Sequence, residues 1–205
     1  MAEVPNVFVA SRNPKKLAEM ERILREHLPE VRVLGLDDVP AYDEPVEDQP
    51  TFSGNALLKA RAALAATGLP SIADDSGLCV DELNGMPGVL SARWSGLPKD
   101  DDRNNRLLLD QLNDVPDERR AAQFRCVVAF CHPGGELETS GEMRGRVIRE
   151  LRGEGGFGYD VLFVADDTPD GRTSAELSVE EKDAISHRGK ALREIAPLVA
   201  QALRG

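Results

Sequence analysis

The stretch Ser71 to Trp94, SIADDSGLCVDELNGMPGVLSARW, decides how the rest of the chain is read. A short apolar run, Ser71 to Ala73, is followed by two adjacent carboxylates, Asp74 and Asp75, and then by Ser76 and Gly77. Neighbouring side chains of an extended strand point to opposite faces, so the two carboxylates diverge unless a turn reorients one of them. Gly77 permits such a turn. One reading is a solvated Asp/Ser/Gly turn, the commonest use of these residue types. The other is a carboxylate held at the carboxyl end of a strand, where open α/β sheets place ligands and metals.

Working outward, Ser53 to Thr67 has Ala56, Leu57, Ala60 and Leu64 on one face, which predicts a helix capped by Ser53 and stopped by Gly68. Val7 to Ala10 is a short apolar run broken by Ser11 to Asn13, and Asn13 before Pro14 is a helix start. Leu17, Met20, Leu24 and Leu28 follow at helical spacing, and Val31 to Leu36 reads as a second strand. The acidic, proline-rich segment 37–50 suits a surface loop. Downstream, Asp100 to Leu112 predicts a helix and Phe124 to Cys131 a buried strand. Leu137 to Ser140 and Arg146 to Ile148 read as shorter hairpin partners. Val161 to Val164 is a further strand, and Ser186 to Leu203 a helix kinked or restarted at Pro197. Strands and helices alternate at both ends around a strand-rich middle. The expected fold is α/β, a single domain over residues 1–205 with a mixed sheet and two lobes flanking a cleft.

With 36 acidic against 25 basic residues the chain carries a formal charge of -11, which excludes a protein that coats nucleic acid through a general positive field. No window approaches the roughly 18 apolar residues of a membrane span, and the start, MAEVPNVFVASRNPKK, lacks a basic region followed by a long apolar segment. Cys79, Cys126 and Cys131 show no CxxC spacing and read as small core residues in a reducing compartment. A soluble, cytoplasmic protein is expected.

Four polar clusters stand at the ends of predicted elements. In SRNPKK, Ser11 to Lys16, free backbone N–H groups at a helix amino terminus join Lys15 and Lys16, a setting that stabilises an anion such as phosphate. It is not a Walker A loop, because GxxxxGK[ST] is absent. ADDSG is the second. GEGGFGYD, Gly153 to Asp160, contains a literal GxGxxG, yet a strand rather than a helix follows, so the dinucleotide reading is rejected. Its glycines permit either an outward Phe157 ring able to stack a base or a tight loop with that ring in the core. The fourth, EEKDAISHRGKAL, places Lys182, His187 and Arg188 at one helix entry, where donors meet phosphate oxygens or the carbonyl edge of a base.

SxNxxK, ADDSGLxVDxLNGxPGxxSAR, GxGGFGYD and AELxxEEKxxISHRGKAL together resemble the inosine triphosphate pyrophosphatase family, from about Val7 to Leu192. The resemblance implies a two-lobed α/β fold with a central cleft, a homodimer, and magnesium-dependent hydrolysis of inosine, deoxyinosine and xanthosine triphosphates to monophosphate and pyrophosphate. It implies that Ser11, Arg12, Asn13, Pro14, Lys15 and Lys16 cradle the triphosphate, and that Asp75 is proton acceptor and metal ligand with Glu47 as second ligand. Ser76 would touch substrate; Phe157, Gly158, Tyr159 and Asp160 would hold the base, Lys182 the phosphates, and His187 with Arg188 the carbonyl at C6. Lys15 stands where many bacterial relatives have glycine, Gly54 where an acidic residue is frequent, and Val161 in place of a common proline. The residues also admit a nucleotide-binding module without turnover, which would not need a water-activating carboxylate. An aspartyl-phosphate phosphatase using both aspartates is a further alternative, and it would release orthophosphate instead of pyrophosphate.

Overall fold

The computed structural model describes residues 4–204, with the side chain of Lys15 outside the described residues. The elements run β1 (Asn6–Val9), α1 (Pro14–His27), β2 (Arg32–Leu34), α2 (Phe52–Thr67), β3 (Ser71–Val80), β4 (Met86–Pro87), α3 (Asp101–Gln111), β5 (Ala121–His132), β6 (Gly135–Val147), β7 (Phe163–Ala165), α4 (Val179–Ile185) and α5 (His187–Arg204). Among the described residues the strand order is β2-β1-β3-β5-β6-β7, with β4 on β3. β1 pairs in parallel with β2 and β3, while β4 on β3 and β7 on β6 are antiparallel. The mixed α/β sheet matches the expected fold class.

The chain divides into two compact units, each built from separated segments. One comprises Met1–Asp75, Val127–Ser140 and Lys190–Gly205; the other comprises Ser76–Cys126 and Gly141–Gly189. In the first, α2 lays Ala56 and Ala60 against Ala73 of β3 and Ala129 and Cys131 of β5. Alanine at those positions lets the helix approach the sheet closely. In the second, Leu78, Val80, Leu108, Leu112, Phe124, Met143, Leu162 and Phe163 form the core. Fully burying a side chain of this size contributes about 1.5–3 kcal/mol.

Three predicted boundaries are corrected. β3 does not turn at Ser76 and Gly77 but continues as one strand to Val80. α2 is capped by Thr51, whose side chain accepts from the Gly54 N–H, whereas the Ser53 hydroxyl donates to Glu138 at 2.6 Å. The two short hairpin partners are one strand, β6. Its Gly145 faces Val164 so closely that a Cβ would lie 2.1 Å from that carbonyl oxygen. Gly68 does stop α2, in the left-handed conformation at φ 70°, and α5 continues through Pro197 to Arg204.

Candidate active site

The predicted site residues fall into two sets. The first lies in the unit that holds Asp75. α1 starts at Pro14 as the Asn13-Pro14 pair predicts, with the Asn13 carbonyl accepting from the Leu17 N–H at 3.1 Å. The Ser11 hydroxyl accepts from the Asn13 N–H at 3.1 Å, and Arg12 is held at the surface by Glu44 at 2.6 Å. Lys15 lies in the first turn, its side chain outside the described residues. Lys16 reaches Asp74, its Nζ donating to the two carboxylate oxygens at 2.9 and 3.1 Å. Asp74 is only 5% exposed, so it is not a solvated turn residue. The pleat of an uninterrupted strand sends the two carboxylates to different partners.

Asp75 is half-buried and accepts from Asn55 Nδ2 at 2.9 Å. Glu47 is bound by Lys59 at 2.6 Å, and the same ammonium donates to the Asp74 carbonyl oxygen at 2.7 Å. Burial pushes the Asp75 carboxyl above its ordinary value; Lys59 and the Asn55 bond pull it back, while the charges of Glu47 and Asp74 push it further up. Asp75 and Glu47 offer hard carboxylate oxygens, the donor type that a hard divalent cation prefers. Among the described residues no three His, Cys, Asp or Glu side chains gather closely enough to hold a metal by themselves.

Asn55 and Lys59 went unnoticed in the sequence. They stand four apart, on one face of α2, and a polar pair at that spacing inside an alanine-rich helix was the available signal.

The second set lies in the other unit. Phe157 is 57% exposed, which settles its loop in favour of the outward ring. Lys182 stands 5.0 Å from the ring centroid and also bonds the Asp160 carboxylate, which accepts from the Phe157 N–H at 2.8 Å. Gly156, at φ 73°, is required there because a Cβ would come within 2.1 Å of Asp160 Oδ2. Gly158 is fastened by two side chains of α3: Asp101 accepts from its N–H at 2.7 Å and Asn105 donates to its carbonyl at 2.9 Å. Neither was anticipated, because nothing in the local sequence links α3 to this loop. Tyr159 is buried, its hydroxyl donating to the Ser91 carbonyl at 2.8 Å. Any ligand contact at that position therefore falls to its backbone.

Lys182 does not share a helix entry with His187 and Arg188, as the sequence predicts. It belongs to α4, and Ser186 separates α4 from α5. The two donors at the head of α5 are nearly buried: His187 stacks on Phe124 with ring centroids 5.0 Å apart and planes 14° apart, and Arg188 donates to the Ser76 hydroxyl at 3.3 Å.

The chain is 59% identical to a dITP/XTP pyrophosphatase of Nocardia farcinica, covering 95% of this chain and 94% of the relative. It is 52% identical to a protein of the same name from Cutibacterium acnes, covering 97% and 98%. Among solved structures it resembles a nucleoside-triphosphatase/dITP/XTP pyrophosphatase of Mycobacterium abscessus, with TM-score 0.78, 52% identity and coverage of 94% and 99%. A HAM1 protein of Coxiella burnetii gives TM-score 0.86 and 39% identity, with 96% and 99% covered. The Ham1 family matches residues 7–198, so with these relatives on either side of the match the chain belongs to the Ham1 family.

Proposed function

We propose that the protein hydrolyses the non-canonical purine nucleoside triphosphates ITP, dITP and XTP to the nucleoside monophosphate and pyrophosphate, clearing them from the nucleotide pool. The observation that carries this is Asp75, half-buried beside Glu47 with its proton affinity raised. A carboxylate in that state is a better acceptor for the proton of an attacking water than an exposed one. The names of the relatives support the same reaction.

In this reading Asp75 orients a water toward the α-phosphorus and takes its proton. The new P–O bond forms as the bond to the β-phosphate bridging oxygen breaks, and pyrophosphate leaves. Glu47 and Asp75 would hold magnesium, which would supply charge neutralisation on the phosphates. The N–H groups opening α1, with Lys16, receive the phosphate chain. Phe157, with Lys182 beside it, offers a face for the base. His187 and Arg188 donate to the C6 carbonyl of hypoxanthine or xanthine. Against adenine, a buried donor left facing an amino group costs about 1–3 kcal/mol.

The same proposal includes a homodimer in the cytoplasm. The buried cysteines Cys79, Cys126 and Cys131 fit a reducing compartment. Among the described residues no helix is long and apolar enough to cross a membrane. Light scattering after size exclusion tests the dimer.

The test of function is turnover with magnesium on ITP, dITP, XTP, ATP and GTP in parallel, resolving monophosphate, pyrophosphate and orthophosphate. Pyrophosphate from the first three and little from ATP or GTP is expected. Asp75→Asn abolishes turnover while nucleotide still binds; orthophosphate as the primary product, or retained turnover in that variant, refutes the mechanism.

A further inference from the structure

We propose that Asn55 is a positioning residue for the reaction, a neutral brace that fixes the Asp75 carboxylate relative to the backbone carrying Glu47. The inference rests on the reading of Glu47 and Asp75 as the metal carboxylates. Asn55 has 0% of its surface exposed, although a buried amide is costly unless its polar atoms are satisfied. Both ends of the amide are used. Nδ2 donates to Asp75 Oδ2 at 2.9 Å, and Oδ1 accepts from the Gln49 N–H at 3.0 Å. The opposite orientation of the amide would set oxygen against carboxylate and NH2 against N–H, so the partners dictate the assignment.

Gln49 lies two residues after Glu47, in the irregular segment that leads into α2. A single side chain therefore ties a strand carboxylate to the loop that supplies the other carboxylate. The brace sits on a rigid support, since Asn55 is in the first turn of a helix fixed by the Thr51 cap. One turn further on, Lys59 binds Glu47 and the Asp74 carbonyl oxygen. The two residues divide the work. Lys59 brings a positive charge that a cation must compete with, whereas Asn55 holds geometry without reducing the negative charge available to the metal. Groups that orient metal ligands in this way are worth about 10–100-fold in metal affinity or activity.

The experiment compares wild type, Asn55→Ser and Asn55→Asp. The aspartate variant keeps the size of the side chain and an acceptor for the Gln49 N–H but, when ionised, cannot donate to Asp75. Three quantities are measured: Mn2+ affinity of the nucleotide-free protein by electron paramagnetic resonance, kcat and KM for dITP at saturating magnesium, and the urea unfolding midpoint. Asn55→Ser is expected to bind Mn2+ about 10–100-fold more weakly, and both variants to lose kcat by a similar factor with little change in KM. Should Asn55→Ser fail to fold, Asn55→Asp, which opens no cavity, carries the test through kcat and KM. A lowered unfolding midpoint with wild-type Mn2+ affinity and wild-type kcat makes Asn55 a structural residue only and overturns the proposal. The underlying reading fails by a different result: a wild-type protein that releases no pyrophosphate from dITP or XTP, or Mn2+ binding undiminished by Asp75→Asn.

Discussion

Arg120 is 2% exposed, and its guanidinium is spent on main-chain oxygens. It donates to the carbonyls of Leu112 at 2.6 Å, Val147 at 2.9 Å and Ile148 at 3.1 Å, with a longer contact to Val115 at 3.5 Å. Burial lowers its pKa, the charge of Arg149 lowers it further and Asp117 opposes both, yet a guanidinium starts so high that it stays charged. Its forked donors thereby staple the exit of α3 to the exit of β6, which no shorter or unforked side chain can do. Arg120→Met removes the guanidinium donors from those carbonyls, of which Leu112 keeps the Val115 N–H at 3.0 Å, and is expected to cost about 3 kcal/mol, read from urea unfolding. Arg120→Lys recovers only part of this; full recovery would show that the charge matters and the fork does not. Cys131 illustrates the opposite use of burial. Its thiol is pushed up to about 11, first by burial and then by the charge of Glu136. Since the thiolate is the reactive form, Cys131 should resist Ellman's reagent at pH 8 until the protein is unfolded, a prediction that mass mapping of the labelled cysteine checks.

At the scale of elements, α4 is a short helix whose existence depends on its caps. Ser178 accepts from the Glu181 N–H at 3.2 Å, and Glu181 accepts from the Ser178 N–H at 2.8 Å while also binding Arg172. Arg172, then the Ser178 N–H, hold the Glu181 carboxyl down from 4.5 to about 2. A carboxyl depressed by folding stabilises the native state above its unfolded value, and that contribution disappears as the pH falls from 4.5 toward 2. Glu181→Gln should therefore lower the melting temperature at pH 6 and make progressively less difference below pH 4.5; an equal effect at pH 6 and pH 2.5 would remove the charge from the account. Most elements of this size were legible in the sequence. Leu17, Met20 and Leu24 disclosed α1, the Asn13-Pro14 pair its start, and Gly68 the end of α2. Ser76 and Gly77 suggest a turn that β3 does not make. The gap between the two expected hairpin partners is closed in β6, where the missing side chain of Gly145 permits close pairing with Val164, a requirement set by the neighbouring strand and invisible along the chain. The candidate site divides in the same way. Asp75 and Phe157 stand out by local pattern and Glu47 only through the family resemblance, but Asn55, Lys59, Asp101 and Asn105 act on residues far away in sequence, and only the folded chain brings them together.

For the whole molecule, the decisive property is that neither unit is continuous. β3, β5 and β6 each contribute residues to both, and the first unit needs segments from the beginning, middle and end of the chain. The final segment, Lys190–Gly205, supplies Ala191, Leu192, Ile195, Ala196, Val199 and Ala200, all at most 3% exposed. It is tied to that unit through Thr139 Oγ donating to the Ala191 carbonyl at 2.8 Å and Arg204 donating to the His27 carbonyl at 2.5 Å. With about 1.5–3 kcal/mol for each large apolar side chain, losing this segment removes an amount comparable to the 5–15 kcal/mol that holds a domain folded. Deleting residues 190–205 leaves every proposed site residue in the chain, since His187 and Arg188 precede the cut. The truncated protein is nevertheless expected to lose its cooperative thermal transition as well as its activity, because β3, β5 and β6 would each lose the support of one end. Circular dichroism during heating checks this. A sharp transition retained by the truncated chain would mean that residues 76–126 and 141–189 fold without the rest, and that the shared strands do not make the two units interdependent.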